Sequence, residues 1–174
     1  VNDKPHLGSI YTTLICDSIA RYKRLSGDDV IFITGVDEHG LKIQRTARNK
    51  GVEPQIHCDE ISDIFMQNWK DWDITHNKFV RTSSPNHAHI VNEFYYKVKK
   101  SDDIYMGVQK GWYCVGCEEF KDNPDNSPTH KCPIHQKNLE WKNEENLFFK
   151  LSKYQSQIEE LINEPSFIQP KERR

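Results

Sequence analysis

The 174 residues of this chain have the composition of a globular protein with a well-hydrated surface, with 36% hydrophobic and 29% charged residues. The 24 Lys+Arg against 26 Asp+Glu give a formal net charge of −2, which excludes an overall basic surface for nucleic acid. No apolar run approaches the roughly 20 residues of a membrane-spanning helix, and the N-terminus lacks the pattern of a signal peptide.

The first predicted element is a helix over residues 10–26, where apolar residues recur at helical spacing. It follows the run Pro5-His6-Leu7-Gly8-Ser9, which puts an imidazole and a glycine at the point where a loop becomes a helix. Unpaired N–H groups and the positive end of the helix dipole can hold an anion there. The run therefore indicates either a phosphate site or an ordinary loop ahead of a helix.

A buried parallel strand is predicted over the continuous apolar run 30–34. It leads into the polar loop 35–40, and ligands of nucleotide-binding α/β units lie beyond such strand ends. Asp37 can face a ligand there, with an ammonium group as its natural partner. Capping of the following helix by Asp37 and His39 explains the same residues equally well. Glu38 is predicted to be a solvated charge.

Three further elements continue this pattern: a helix over 56–72, a strand over 78–82, and a helix that begins at Ser84-Pro85, with serine as N-cap and proline in the first turn. The order helix, strand, helix, helix, strand, helix predicts an α/β layer. Cys16 and Cys58 lie alone in helix-like stretches and are predicted to be small buried thiols.

The composition changes near Ser101. Two short β-like pieces, 104–108 and 111–115, precede the polar stretch 121–128, which has too few apolar residues to order itself. Residues 147–151 are predicted to return as a strand or loop, and one more helix follows.

Two pairs of residues carry the strongest local signal, Cys114 with Cys117 and Cys132 with His135. Each pair spans two residues, so one tight turn can offer two ligands to the same ion, and 14 residues lie between the pairs. Three thiolates and an imidazole form a closed tetrahedral set for Zn²⁺ with no open position for a catalytic water, which predicts a structural site. Disulfides or free buried thiols are the alternative, and His130 is a competing ligand.

Several segments together resemble the methionyl-tRNA synthetase family of class I aminoacyl-tRNA synthetases. Residues 5–13 look like the HIGH signature of class I, and residues 34–43 resemble the methionyl form of the second nucleotide-fold loop. Isoleucyl, valyl and leucyl enzymes share the pattern Gly-x-Asp-x-His-Gly, so this loop alone supports only class I. The methionyl family is favoured by further segments, which follow in the family's order: 78–82, 103–107, 111–114 and 146–152.

The resemblance implies a role for each residue that matches a family motif. His6 is expected to contact the phosphates of ATP and to stabilise charge during catalysis, and Gly8 to let adenine approach the backbone. Ser9 stands where the signature usually has a second histidine, so a catalytic, ATP-binding donor is kept but an imidazole is lost. Asp37 is expected to bind the amino group of methionine, and the zinc ligands to lie in the connective insertion.

The fold implied is α/β, a partial Rossmann-type (HUP-like) parallel sheet with a small zinc-binding connective insertion. Residues 1–101 are expected to form the first half of the catalytic domain, 102–145 the zinc-knuckle insertion, and 146–174 its return segment.

The function implied is that of a methionine–tRNA ligase, which uses ATP with Mg²⁺ to form methionyl-adenylate and then transfers methionine to tRNA(Met). Because the chain contains no Lys-Met-Ser-Lys-Ser-like loop, it is expected to be an incomplete enzyme, inactive alone. A cytoplasmic location is expected, with an organellar form as the alternative. There are two rival interpretations: another class I synthetase, and a non-catalytic zinc-ribbon binding module.

Overall fold

A computed structural model describes residues 2–121 and 131–173. The predicted polar stretch beyond Lys121 and the competing ligand His130 lie outside the described residues. The helix predicted to begin at Ser84-Pro85 is found, with Ser84 as its N-cap and Pro85 as its first residue. In chain order the elements are α1 Leu7–Leu25, β1 Ile33–Val36, α2 Leu41–Lys50, α3 Pro54–Asp71, β2 Lys78–Arg81, α4 Pro85–Lys100, β3 Ile104–Cys114, β4 Glu119–Lys121, β5 Glu140–Phe149, a 3₁₀ helix Leu151–Tyr154, α5 Gln155–Asn163 and a 3₁₀ helix Lys171–Arg173. None of the helices in this described part has the length and apolar character needed to cross a membrane.

Strands β1 and β2 pair in parallel, which confirms the predicted parallel arrangement of an α/β unit. The first strand begins at Ile33, three residues later than the predicted range 30–34. It is also not the buried strand that its apolar run predicts, because Ile31 and Ile33 are 70% and 54% exposed. The physical reason is that the parallel sheet has two strands in the described residues and no layer there covers this face.

The second half of α1 is attached to the loop that leads into β2. Asp17 is 4% exposed, and its carboxylate accepts hydrogen bonds from Thr75 N (2.7 Å), Thr75 Oγ1 (2.6 Å) and Arg21 Nε (2.6 Å). Arg24 adds bonds to Thr75 Oγ1 and Asn77 Oδ1, both at 2.8 Å. The end of α1 therefore lies at the amino ends of the parallel strands.

Helices α2 and α3 supply much of the buried apolar core. Ile43 and Ala47 of α2 and Ile61 and Trp69 of α3 are buried. Helix α3, Pro54–Asp71, confirms the helix predicted over 56–72.

The two isolated cysteines differ in burial. Cys58 is buried as predicted, whereas the prediction for Cys16 is wrong because its side of α1 is exposed together with Ile15 and Ile19. No element of the described chain packs over that side of α1.

Strand β3 is the centre of an antiparallel sheet of order β4-β3-β5. It runs without interruption, so the two β-like pieces predicted from the sequence are one strand. Two glycines in this strand make room for aromatic rings of the neighbouring strands. A Cβ on Gly107 would lie 2.8 Å from Phe148, and one on Gly111 would lie 3.3 Å from Phe120. Strand β5 is correspondingly longer than the predicted return strand.

A buried carboxylate joins the segment before β3 to the segment after β5. Asp103 is buried and accepts hydrogen bonds from Lys153 Nζ and Tyr154 Oη, both at 2.6 Å. Its carbonyl accepts from Lys150 N at 2.7 Å. The chain therefore leaves α4 and returns from the sheet at the same point.

The substitution Asp17→Asn is expected to destabilise the protein in a pH-dependent way. Burial alone would raise the pKa of Asp17, but the hydrogen bonds from Thr75 and Arg21 outweigh it and lower this pKa. The ionised carboxylate therefore stabilises the fold above the pKa of an unfolded aspartate, and this contribution is lost as the pH falls through the folded-state pKa. At pH 7 we expect the free energy of unfolding, measured by urea denaturation, to fall by about 2 kcal/mol.

The matched control is Asp28→Asn, since Asp28 forms a half-exposed ion pair with Lys23 at 3.1 Å. This substitution should change the free energy of unfolding by less than about 0.5 kcal/mol. A difference between wild type and Asp17→Asn that stays constant down to about pH 3 would contradict the stabilising role of the ionised carboxylate.

Candidate functional site

His6 is the N-cap of α1, and its imidazole folds back onto the helix. Its Nδ1 accepts hydrogen bonds from Gly8 N (3.1 Å) and Ser9 N (3.4 Å). An Nδ1 that accepts these bonds carries no hydrogen, so the hydrogen of the ring is on Nε2. The first-turn N–H groups of Gly8 and Ser9 are thus used by the imidazole, and an anion at this end of the helix would meet the Nε2–H of His6.

Gly8 leaves room for this fold-back of the imidazole. A Cβ at this position would lie 3.0 Å from His6 Cε1 and 3.1 Å from His6 Nδ1. The helix begins at Leu7, three residues before the predicted start, so Gly8 and Ser9 belong to its first turn.

The segment before His6 is held by α2 and α3. Thr46 Oγ1 donates to Asn2 Oδ1 at 2.6 Å, and His57 Nε2 donates to the carbonyl of Asn2 at 3.3 Å. Lys50 Nζ donates to the other nitrogen of His57 at 3.3 Å, which leaves Nε2 as the donor. These bonds hold the segment before His6 against α2 and α3, the two helices that follow the loop after β1.

Asp37 lies in this loop with an exposed side chain. Its Oδ1 accepts hydrogen bonds from His39 N and Thr82 Oγ1, both at 3.4 Å. The N-cap of α2 is Gly40, with φ of 116° and no side-chain cap bond, so capping by Asp37 or His39 is wrong. The structure therefore favours the ligand-facing interpretation of Asp37.

The prediction that Glu38 is a solvated charge is wrong, since this residue is 5% exposed. Its carboxylate accepts hydrogen bonds from Ser62 Oγ (2.5 Å), Arg81 Nε (2.9 Å) and Ser83 Oγ (2.6 Å). Burial would raise the pKa of Glu38, but these bonds and the charge of Arg81 lower it. The carboxylate is therefore ionised and paired at neutral pH.

Cys114, Cys117, Cys132 and His135 form one cluster, in which the four candidate ligand atoms lie within 4.8 Å of one another. The Sγ atoms of Cys117 and Cys132 are 3.6 Å apart, and His135 Nδ1 lies 3.3 to 3.7 Å from the three sulfurs. A tetrahedral site with Zn–S bonds of about 2.3 Å has S–S edges of about 3.8 Å. The cluster is thus compatible with a zinc ion coordinated through Nδ1 of the histidine.

The surroundings of the cluster also suit a metal. The backbone N–H of His135 is the main cause that lowers the pKa of Cys132 to about 6, whereas burial and the neighbouring thiols raise the pKa of Cys117. Three thiolates therefore need a cation to coexist at neutral pH. A Cβ on Gly116 would lie 2.8 Å from the ring of His135, so the first turn must carry glycine there.

The cysteine–histidine cluster and the Asp37 loop are joined by contacts between the antiparallel sheet and α2. Arg45 forms a bidentate pair with Glu140, at 2.7 and 2.6 Å. Lys42 Nζ lies 3.8 Å from Glu118 Oε2, and a Cβ on Gly40 would lie 2.9 Å from Glu118 Oε1. The turn that carries Cys114 and Cys117 therefore lies against the end of the Asp37 loop.

Sequence comparisons relate this chain to one group of enzymes. Residues 1–138 match the family described as "tRNA synthetases class I (M)". Methionine–tRNA ligase of Nostoc sp. is 52% identical over 176 residues, which cover 100% of this chain and 33% of that protein. The chloroplastic/mitochondrial methionine–tRNA ligase of Arabidopsis thaliana is 49% identical over 171 residues, covering 98% and 28%. The chain thus spans about a third of the length of the curated relatives it matches.

Comparison of the three-dimensional fold agrees with the sequence. The Mycobacterium tuberculosis methionyl-tRNA synthetase in complex with methionyl-adenylate matches with a TM-score of 0.90 and 32% identity, over 99% of this chain and 35% of that chain. This likeness confirms the predicted α/β fold with a parallel sheet. Because the family model covers most of the chain, the chain belongs to the methionyl family of class I tRNA synthetases.

Proposed function

We propose that this chain is one part of the catalytic domain of a methionine–tRNA ligase. The observation that carries the proposal is the TM-score of 0.90, over 99% of the chain, to a synthetase that holds methionyl-adenylate. In the proposed reaction a carboxylate oxygen of methionine attacks the α-phosphorus of ATP, and pyrophosphate leaves. Methionine then passes from the adenylate to tRNA(Met), and AMP is released.

The beginning of α1 is the proposed ATP-binding part of the site. His6 would donate its Nε2–H to phosphate oxygens, where negative charge builds up as the carboxylate attacks. A donor fixed before the reaction stabilises such charge without reorganisation. Gly8 and Ser9 would complete the ATP site, with the hydroxyl of Ser9 as a second donor in place of an imidazole. Mg²⁺ would accompany ATP and neutralise phosphate charge.

Asp37 is the proposed partner of the ammonium group of methionine. An exposed carboxylate beyond the carboxyl end of a parallel strand can form a charge-assisted hydrogen bond with that group. Holding the ammonium group orients the substrate's own carboxylate towards ATP. Positioning and electrostatic stabilisation then account for catalysis without a covalent intermediate on the protein.

The cysteine–histidine cluster is the proposed structural zinc site. Zinc bound by Cys114, Cys117, Cys132 and His135 would join the two ligand-bearing turns and stabilise this end of the antiparallel sheet. In small zinc modules the binding free energy of the metal, about 10 kcal/mol, stabilises the fold. In this proposal residues 1–101 are the first half of the catalytic domain, 102–145 the connective insertion and 146–174 its return. A cytoplasmic location is proposed, although the Arabidopsis thaliana relative is chloroplastic/mitochondrial.

Amino-acid-dependent ATP–pyrophosphate exchange by the full-length protein is expected with methionine. Leucine, valine and isoleucine should support exchange at least about a hundredfold more weakly, a ratio that corresponds to nearly 3 kcal/mol of transition-state binding. Exchange that prefers one of these amino acids would identify another class I synthetase. No exchange with any amino acid would favour a non-catalytic zinc-ribbon binding module.

The substitution His6→Ala in the full-length protein is expected to lower methionine-dependent exchange by about two orders of magnitude, the usual loss for one such donor. His6→Asn is the informative companion, because asparagine is a good N-cap but lacks the Nε2–H. Both variants should be equally impaired. If His6→Asn restores exchange to the wild-type rate, the role of His6 is helix capping alone.

Elemental analysis of the purified full-length protein is expected to find one zinc per chain from this cluster, and Cys132→Ser should lose it because a closed site needs all four ligands. Cys16→Ser is the matched control, since Cys16 is exposed and lies outside the cluster. A wild-type protein without stoichiometric zinc, or an unchanged zinc content in Cys132→Ser, would remove the metal from this site.

A further inference from the structure

The loop that carries Asp37 is held by the residues at the carboxyl end of β2. We propose that Glu38 and Thr82 are positioning residues that fix the Asp37 carboxylate in the orientation in which it binds the ammonium group of the amino-acid substrate. The inference rests on the proposed function, because it explains how the proposed amino-acid site keeps its geometry.

Glu38 is the anchor of the loop. Its side chain has no solvent exposure, and Arg81 Nη2 lies 2.8 Å from its Oε1. The same guanidinium pairs with Asp59 at 2.5 Å, so β2 and α3 are joined to the loop through one charge network. Removing one partner of a buried ion pair leaves an uncompensated charge, which is strongly unfavourable. The buried Glu38 side chain therefore fixes the loop backbone between its two exposed neighbours, Asp37 and His39.

Thr82 connects this anchor to Asp37. The backbone N–H of Glu38 donates to Thr82 Oγ1 at 2.8 Å, so the hydroxyl uses its own hydrogen in the bond to Asp37 Oδ1 at 3.4 Å. The carbonyl of Thr82 also accepts from His39 Nε2 at 3.2 Å. One threonine thus contacts all three consecutive loop residues.

The consequence is a carboxylate with a restricted orientation. Asp37 Oδ1 receives hydrogen bonds from Thr82 Oγ1 and from His39 N, which limits rotation of the carboxylate plane. The direction in which Asp37 meets an ammonium group is then set by Thr82, directly after β2, together with His39 of the loop. Small displacements of a binding group have large effects on affinity and rate, so loss of this restraint should weaken amino-acid binding.

The test separates positioning from simple stabilisation through the KM values for the two substrates in methionine-dependent ATP–pyrophosphate exchange by the full-length protein. Thr82→Val removes the hydroxyl at nearly constant volume and should raise the KM for methionine about tenfold, while the KM for ATP stays within about twofold. Thr82→Ser keeps the hydroxyl and should stay near wild type. Glu38→Gln should raise the KM for methionine by a similar factor.

Asp17→Asn is the matched control, because Asp17 is another buried carboxylate held by three hydrogen bonds. It should destabilise the protein without changing the KM for methionine. Equal changes in both KM values, or a Thr82→Val enzyme that behaves as wild type, would overturn the inference while leaving the proposed function intact. If Glu38→Gln does not fold, the Thr82 pair decides alone. A wild type without methionine-dependent exchange would overturn both.

Discussion

The parallel pairing of β1 with β2 is the constraint on which the candidate site depends. Parallel neighbours end at the same edge of a sheet, so the loop after β1 and the residues after β2 meet although they are more than 40 positions apart in sequence. Glu38 and Arg81 can form a buried ion pair because of this pairing, and Thr82 can reach Asp37 for the same reason. The end of helix α1 is attached at the opposite edge, where Arg24 donates to Thr75 and Asn77.

Three buried carboxylates, Asp17, Glu38 and Asp103, join elements that share few apolar contacts. Each accepts between two and four hydrogen bonds from side-chain or backbone donors. Each has a lowered pKa because these bonds and a nearby cation outweigh the effect of burial. Burying a charge is tolerated only with such partners. In this chain they determine where α1 meets the segment before β2, how the Asp37 loop is oriented, and where the antiparallel sheet begins and ends.

Local signals in the sequence predicted much of this structure. The N-cap at Ser84, the helix predicted over 56–72 and the paired cysteines with His135 each depend on residues within a few positions of one another, and all three are found. The errors concern residues whose environment is set by distant segments. Glu38 is buried by partners 24 to 45 positions away. Cys16 is exposed because no element of the described chain packs on its side of α1. Residue spacing within the Asp37 loop or within α1 carries no information about these distant contacts.

The contact between α2 and the antiparallel sheet has a different physical character from the rest of the site. The pair Arg45–Glu140 and the pair Lys42–Glu118 are both partly exposed, with side chains 38% to 44% accessible to solvent. Mobile ions screen exposed pairs of this kind, whereas they hardly affect metal–thiolate bonds or a buried ion pair. Ionic strength therefore adjusts how firmly the cysteine-bearing turn packs against the Asp37 loop, while both the turn and the loop keep their own internal geometry.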